Sequence, residues 1–357
     1  MNILEYFYEN PPKNGKFIDR KLKPSGSKIL LKGGLNSGKT TILTEYLRNF
    51  KDREFLYINL DDARINEPNF LLNLNDFIKT KGIKALGIDG VKNDFKLQFK
   101  CENIIISTCS NSLELEGFSD FFINGFDYEE FIANYGKNYE AKTLFSHFLA
   151  RGNSVKTVFL QDFEITEFLQ TKLRSVFKPL QVTMLSKLAS QIHQSFNAYK
   201  IYKELKTHTK ISKDKIYEAT HEFEDINLIC FVPHLDKKSS FKRVYFYDFG
   251  LKNALSYEKD PKITVANMVF CELLKLQSEI YFDDKIDFYL PQKNIAIKIE
   301  PFLPPELIFL KFKKQIDHFK NLGIKKIYVI SNANEADSAF EGVRCVIVPF
   351  WKWAVTL

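Results

Sequence analysis

Residues Gly33-Gly34-Leu35-Asn36-Ser37-Gly38-Lys39-Thr40 match the pattern GxxxxGK[ST], with Thr41 following. The chemistry suited to this order is phosphate binding. Glycines let the backbone approach an anion, and the N–H groups at a helix start point at it. A lysine in the Lys39 position reaches the β- and γ-phosphates of a nucleotide, and a hydroxyl in the Thr40 position ligates Mg²⁺. Residues 33–41 are therefore expected to hold ATP with Mg²⁺. A second candidate is Asp89, which ends the apolar run Ala85-Leu86-Gly87-Ile88 and suits the same metal ion. The next position, where a glutamate would activate water, is Gly90. Asn111 or Ser110 suits a γ-phosphate sensor or water-positioning role, with an ordinary turn residue as the alternative.

An α/β layer accounts for the position of these residues. An apolar strand is expected at 28–32, ahead of the glycine-rich loop. A helix is expected at 41–50, with Ile42, Leu43, Tyr46 and Leu47 on one face. Further strands are expected at 54–60, ending in Asp61 and Asp62, and at 85–88, 103–107 and 121–126. The polar residues follow strand ends, where open α/β sheets bind ligands.

Several stretches together resemble a broad prokaryotic family of AAA-type ATP-binding proteins of largely unassigned function. They are the P-loop, Tyr57-Ile-Asn-Leu-Asp-Asp-Ala-Arg64, Leu86-Gly-Ile-Asp89, Thr108-Cys-Ser-Asn-Ser112, Phe126-Asp-Tyr-Glu-Glu-Phe131 and the signature-like run from Val244 to Ala254. The resemblance implies an AAA-type P-loop domain at 1–150 and a helical, winged-helix-like region at 151–250. It also implies a restriction-endonuclease-like α/β domain at 251–357. Two departures bear on hydrolysis. The family usually has a glutamate where this chain has Gly90, and many members carry an arginine in the stretch matching 115–126, where this chain has none. An arginine from a neighbouring copy, or Asp61 or Asp62 acting on water, are the substitutes the sequence offers.

In the middle region, helical patterns cover about 182–209 and begin again at Ser212, with strands expected at 226–231 and 243–247. The turn between those strands carries Lys237, Lys238, Lys242 and Arg243, which suit nucleic-acid phosphates. The helix after Ser212 mixes Lys213 and Lys215 with Asp214, Glu218, Glu222 and Glu224, which fits protein docking or a rigid connector as well. In metal-dependent nucleases of the fold implied for the last region, a helix glutamate, a strand aspartate and a Glu-x-Lys pair converge. The matching residues are Glu272, Asp287, Lys298 and Glu300, with Lys298-Ile299-Glu300 in reversed order, so a lapsed nuclease site is expected. A helix at 311–319 and strands at 326–330 and 345–349 are expected to close the layer.

Composition sets the outer bounds. At 357 residues, 45% apolar and 27% charged, the chain is a soluble globular type with room for two or three domains. No apolar run approaches the ~18 residues of a membrane span, and residues 1–17 do not read as a secretory signal. Five scattered cysteines point to reduced thiols in the cytoplasm, without a zinc site. Residues 1–150 carry 20 basic and 20 acidic side chains, so the whole +7 excess lies beyond them. The combined expectation is an ATP-holding conformational switch with weak or absent hydrolysis, with a protein partner or a second copy of itself. The alternative is an ATP-dependent, DNA-binding or nucleic-acid-processing enzyme that uses the basic half.

Overall fold

The computed structural model describes residues 3–12, 18, 20–65, 70–93, 95, 98–136, 139–258 and 260–357. Part of the segment read against a secretory signal, residues 1–2 and 13–17, therefore lies outside the described residues. By contact the chain divides into two units, Met1–Gly125 with Asp225–Leu228, and Phe126–Glu224 with Ile229–Leu357.

The first unit is built on strands β1 (Lys28–Lys32), β2 (Phe55–Asn59), β3 (Ala85–Val91), β4 (Asn103–Thr108) and β5 (Ser119–Phe122). Their order is β2-β3-β4-β1-β5, and every neighbouring pair is parallel. The strands read as near-continuous apolar runs because both faces of the sheet are covered. Ile29, Leu31, Phe55, Ala85 and Ile105 pack with Ile42, Leu43 and Leu47 of helix Lys39–Leu47. Leu30, Leu56, Ile58, Leu86, Ile88, Ile104 and Ile106 pack on the other face, with helices Ile3–Glu9 and Leu74–Lys81. Each fully buried side chain of this size contributes roughly 1.5–3 kcal/mol, so the sheet is a firm base for the loops at its carboxyl end.

Strands β1 to β4 fall where the sequence places them. β5 does not: it runs at 119–122 instead of 121–126. It is an exposed edge strand joined to β1, with Lys32 paired to Asp120 at 2.6 Å, so it lacks an apolar signature. The buried residues Ile123 and Phe126, which carry the apolar pattern, lie just beyond it.

The second unit begins with helices Tyr128–Tyr135, Ala141–Arg151, Asp162–Val176, Pro179–Ala189, Ala198–Lys206 and Lys213–Asp225, the last ending in the first unit. A hairpin of β6 (Ile229–Pro233) and β7 (Lys242–Phe246) follows, then helices Gly250–Leu255 and Pro261–Leu273. A mixed sheet closes the unit: β8 (Phe288–Leu290), β9 (Ile295–Ile299), β10 (Lys326–Ser331), β11 (Ala336–Phe340) and β12 (Val343–Pro349). Its order is β11-β12-β10-β9-β8, parallel at the centre and antiparallel at both edges. The strand expected at 226–231 starts only at Ile229, because Asn227 adopts a left-handed backbone (φ 56). The helix expected at 311–319 is two helices, Pro305–Lys313 and Ile316–Asn321. β11 has no counterpart in the sequence reading, since its side chains alternate between exposed and half-buried along a polar edge.

Candidate functional site

The glycine-rich loop joins β1 to helix Lys39–Leu47 at the carboxyl end of the parallel sheet. Lys39 is buried, and its Nζ donates to the carbonyls of Gly33 (2.8 Å) and Gly34 (2.7 Å) and lies 3.4 Å from Cys109 Sγ. Arg20 holds the loop from outside, donating to Ser37 O at 2.6 Å and Asn124 O at 2.9 Å. Ser37 Oγ is buried with no hydrogen-bond partner among the described residues. An unsatisfied hydroxyl of this kind costs on the order of 1–3 kcal/mol unless something bonds to it. In this loop it fits a polar ligand.

Asp89 is the second anchor. Its Oδ2 accepts from Thr40 Oγ1 at 2.6 Å and from Tyr57 OH at 3.0 Å, and its Oδ1 accepts from Ser107 Oγ. The strand order makes this possible, because β4 lies between β1 and β3 and delivers Ser107 to the carboxylate. Burial first, then the charges of Asp89 and Asp61, push the Tyr57 phenol far above its ordinary range, so it stays a donor. Thr40 and Asp89, separated by 49 positions in the chain, are thus brought into direct hydrogen-bond contact.

Gly90 has a left-handed backbone (φ 86), at an irregularity where the β3–β4 register shifts. Its N–H donates to Ser107 Oγ at 3.2 Å. A Cβ at this position would point at the carboxylate of Asp61, 3.4 Å from Oδ2 and 3.5 Å from Cγ. Asp61 is exposed, and Asn59 Oδ1 accepts its backbone N–H at 3.0 Å. Asp62 is engaged elsewhere. Arg64 donates to it three times, from its side chain at 2.8 and 2.5 Å and from its backbone N–H at 3.0 Å, and holds its carboxyl down to about 2.

Ser110 and Asn111 are tied to a segment that the sequence does not connect with them. Asp225 accepts from Ser110 Oγ (2.8 Å), Ser112 N–H (3.0 Å) and Asn93 Nδ2 (3.3 Å), and its carbonyl accepts from Asn111 N–H (2.7 Å). Burial pushes the Asp225 carboxyl up, but these bonds outweigh it and hold the group low. Asn227 donates to Cys109 O at 3.0 Å. Its own carbonyl oxygen lies so near Gly34 that a Cβ there would be 2.4 Å away. The P-loop therefore has glycine at position 34 for a packing reason as well. Asp225 and Asn227 escaped the sequence reading, which gave Asp225 no role and placed Asn227 inside the strand expected at 226–231. The one local signal is an asparagine in left-handed conformation just after a helix.

The acidic residues of the second unit behave differently. Asp287 is buried and accepts from Ile299 N–H (2.8 Å) and Arg243 (3.3 Å), with His193 at 3.4 Å and Lys298 at 3.9 Å. Burial pushes its carboxyl up, but His193 and Lys298, with the Ile299 N–H and Arg243, hold it low. Burial drives His193 down to about 4. Glu272, also buried, accepts from Tyr128 N–H at 2.6 Å and lies 3.2 Å from Lys275, and burial pushes it up to about 7. Glu300 pairs with Lys311 (3.4 Å) and Lys262 (3.7 Å). Glu272, Asp287 and Glu300 thus each have their own partners. Among the described residues no group of three or more His, Cys, Asp or Glu is arranged to hold a metal ion. Lys237, Lys238 and Lys242 are exposed at the β6–β7 hairpin. Arg243, expected beside them as a phosphate contact, instead turns inward to Asp287 and stacks 4.2 Å from the Phe282 ring. Among the described residues no helix is long and apolar enough to cross a membrane.

Fold and loop together define the first unit as a P-loop α/β domain. No family model matches the chain. A relative from Methanocaldococcus jannaschii, whose function is uncharacterized, is 26% identical over 418 aligned positions, covering 96% of this chain and 92% of the relative. Among solved structures, a Walker-type ATPase of Pyrococcus abyssi is similar at a TM-score of 0.42 and 14% identity, over 64% of this chain and 90% of that one. The Orc1 protein of Aeropyrum pernix, solved in complex with DNA, is similar at a TM-score of 0.35 and 12% identity, over 65% and 87%.

Proposed function

We propose that this protein binds ATP with Mg²⁺ and uses the nucleotide as a conformational switch with slow hydrolysis. The observation that carries the reading is the Thr40–Asp89 bond beside a buried Lys39 on the glycine-rich loop. Residues 33–41 would hold the phosphates, Lys39 supplying positive charge at the β- and γ-positions, and Thr40 and Asp89 would hold the metal ion. When bound, Mg²⁺ supplies charge neutralisation across the phosphates. Slow hydrolysis follows from Gly90, which brings no carboxylate, and from the absence of arginine in 115–126. Asn111 is assigned to sensing the γ-phosphate side. An arginine from a second copy of the chain is the partner contribution that would accelerate turnover, by ~10³–10⁵ where such a residue acts. Competition with a fluorescent ATP analogue tests the reading: MgATP displaces the analogue from the wild type, and Lys39→Ala binds it roughly 10- to 100-fold more weakly. Equal binding by both would overturn it.

A second reading applies to the other unit. We infer a winged-helix-like part at 151–250 and an endonuclease-like part without nuclease activity at 251–357, in a cytoplasmic protein. The exposed Lys237, Lys238 and Lys242, with the +7 excess beyond residue 150, favour contact with nucleic-acid phosphates. Affinity for duplex DNA that falls steeply between 50 and 200 mM salt, as counterion release requires, and drops in the triple lysine-to-alanine variant would support this. Salt-independent or absent binding would end it.

A further inference from the structure

We propose that Asp61 is the carboxylate that positions and deprotonates the attacking water, in place of a side chain at position 90. This rests on the ATP-binding reading and extends it to the hydrolytic step. The backbone at Gly90 is left-handed, a conformation that residues with a Cβ rarely adopt. The strand end is thus shaped for glycine, and a glutamate there would carry local strain. The direction that a side chain at 90 would take leads directly to the Asp61 carboxylate, at 3.4–3.5 Å. The neighbouring strand therefore brings a carboxylate to the place where position 90 has none.

The support for Asp61 is firm. Asn59 pairs in register with Asp89 across β2 and β3, Leu60 N–H donates to Asp89 O at 2.9 Å, and the Asn59 side chain accepts from the Asp61 N–H. These bonds fix the start of the Asp61 side chain relative to Asp89, the proposed metal ligand. Tyr57, whose hydroxyl donates to Asp89, also feels the charge of Asp61, so both carboxylates act on one phenol. Exposure of Asp61 gives water access to it. Asp62 is excluded from the role by its paired bonds to Arg64.

In the step assigned here, the water oxygen bonds to the γ-phosphorus while the bond from that phosphorus to the β–γ bridging oxygen breaks. The electron pair leaves on ADP, and the water proton passes to Asp61, then to solvent. General-base catalysis of this kind contributes roughly 10²–10⁴-fold.

Single-turnover phosphate release from MgATP by the full chain tests the proposal, with Asp61→Asn, Asp61→Glu, Asp62→Asn and Lys39→Ala alongside. Asp61→Asn is expected to slow release by about 10²-fold or more, with ATP affinity within about 3-fold of wild type. Asp61→Glu retains measurable release, which also covers the case in which the asparagine variant fails to fold. Asp62→Asn releases phosphate at the wild-type rate. Release by Asp61→Asn at the wild-type rate would overturn the proposal. So would wild-type release no faster than Lys39→Ala while the wild type still binds ATP. Failure of the wild type to bind ATP at all would instead overturn the reading beneath it.

Discussion

The two units use their charged residues in opposite ways. In the first, Lys39, Thr40, Tyr57, Ser107 and Asp89 come from four separate elements and converge at the carboxyl end of one parallel sheet. One hydroxyl in that cluster, Ser37 Oγ, is left without a partner, and one carboxylate beside it, Asp61, faces solvent. In the second unit Asp287 is enclosed by Arg243, His193, Lys298 and the Ile299 N–H, and Glu272 by Tyr128 and Lys275. The first unit thus keeps one carboxylate near its cluster open to solvent, whereas Asp287 in the second is closed off by its neighbours. Similar residue types therefore form an open cluster in one unit and a closed ionic cluster in the other.

The contrast is most exposed at Asp287. If the cluster is structural, Asp287→Ala leaves the half-buried Arg243 and Lys298 without their counter-charge and destabilises the fold, by up to about 3–5 kcal/mol, read by chemical denaturation. A variant of wild-type stability that lost a Mg²⁺-dependent cleavage activity would break the comparison. At Lys39 the opposite outcome is expected. Lys39→Ala weakens ATP binding by roughly 10- to 100-fold, the value of hydrogen bonds to charged groups, while leaving the denaturation midpoint near that of the wild type.

pH sharpens the comparison further. His193 falls from 6.5 to about 4 on folding, so the folded state binds fewer protons there. Its stabilising contribution is complete above pH 6.5 and is lost as pH falls through 4. Glu272 rises from 4.5 to about 7, so its contribution is complete below pH 4.5 and is lost as pH rises through 7. The two slopes oppose each other between about pH 4.5 and 6.5, so the thermal stability of the wild type should be nearly flat there, His193→Gln should leave a limb that falls with pH, and Glu272→Gln a limb that rises. Unchanged limbs in both variants would contradict the burial-driven account. A smaller effect is expected at Asp225, where alanine removes the anchor of the turn at 110–112 and costs about 1–3 kcal/mol, measured by denaturation of the full chain.

Much of the first unit is legible in the sequence, because its signals are local. The GxxxxGKT run, the apolar strands at 28–32 and 103–107 and the terminal Asp89 each announce themselves within a few residues. What escapes is tertiary. β5 and β11 are exposed edges with little apolar content, and Asp225 lies 115 positions from the Ser110 it anchors. Gly90 shows the limit most clearly. In the sequence it is a missing glutamate; in the structure it is a left-handed strand end directed at Asp61. For the same reason Gly90→Glu is not a repair, since it adds strain and a second negative charge beside Asp61, and no gain in turnover is expected. For Asp287 the sequence shows a candidate strand carboxylate but not the neighbours that neutralise it.

Titration calorimetry of the full chain with MgATP, coupled to steady-state phosphate release, tests the central claim most directly. The account predicts saturable binding that is strongly weakened in Lys39→Ala, with turnover far below the ~1–10³ s⁻¹ typical of enzymes. No saturable binding by the wild type, or turnover within that range by the isolated chain, would contradict it.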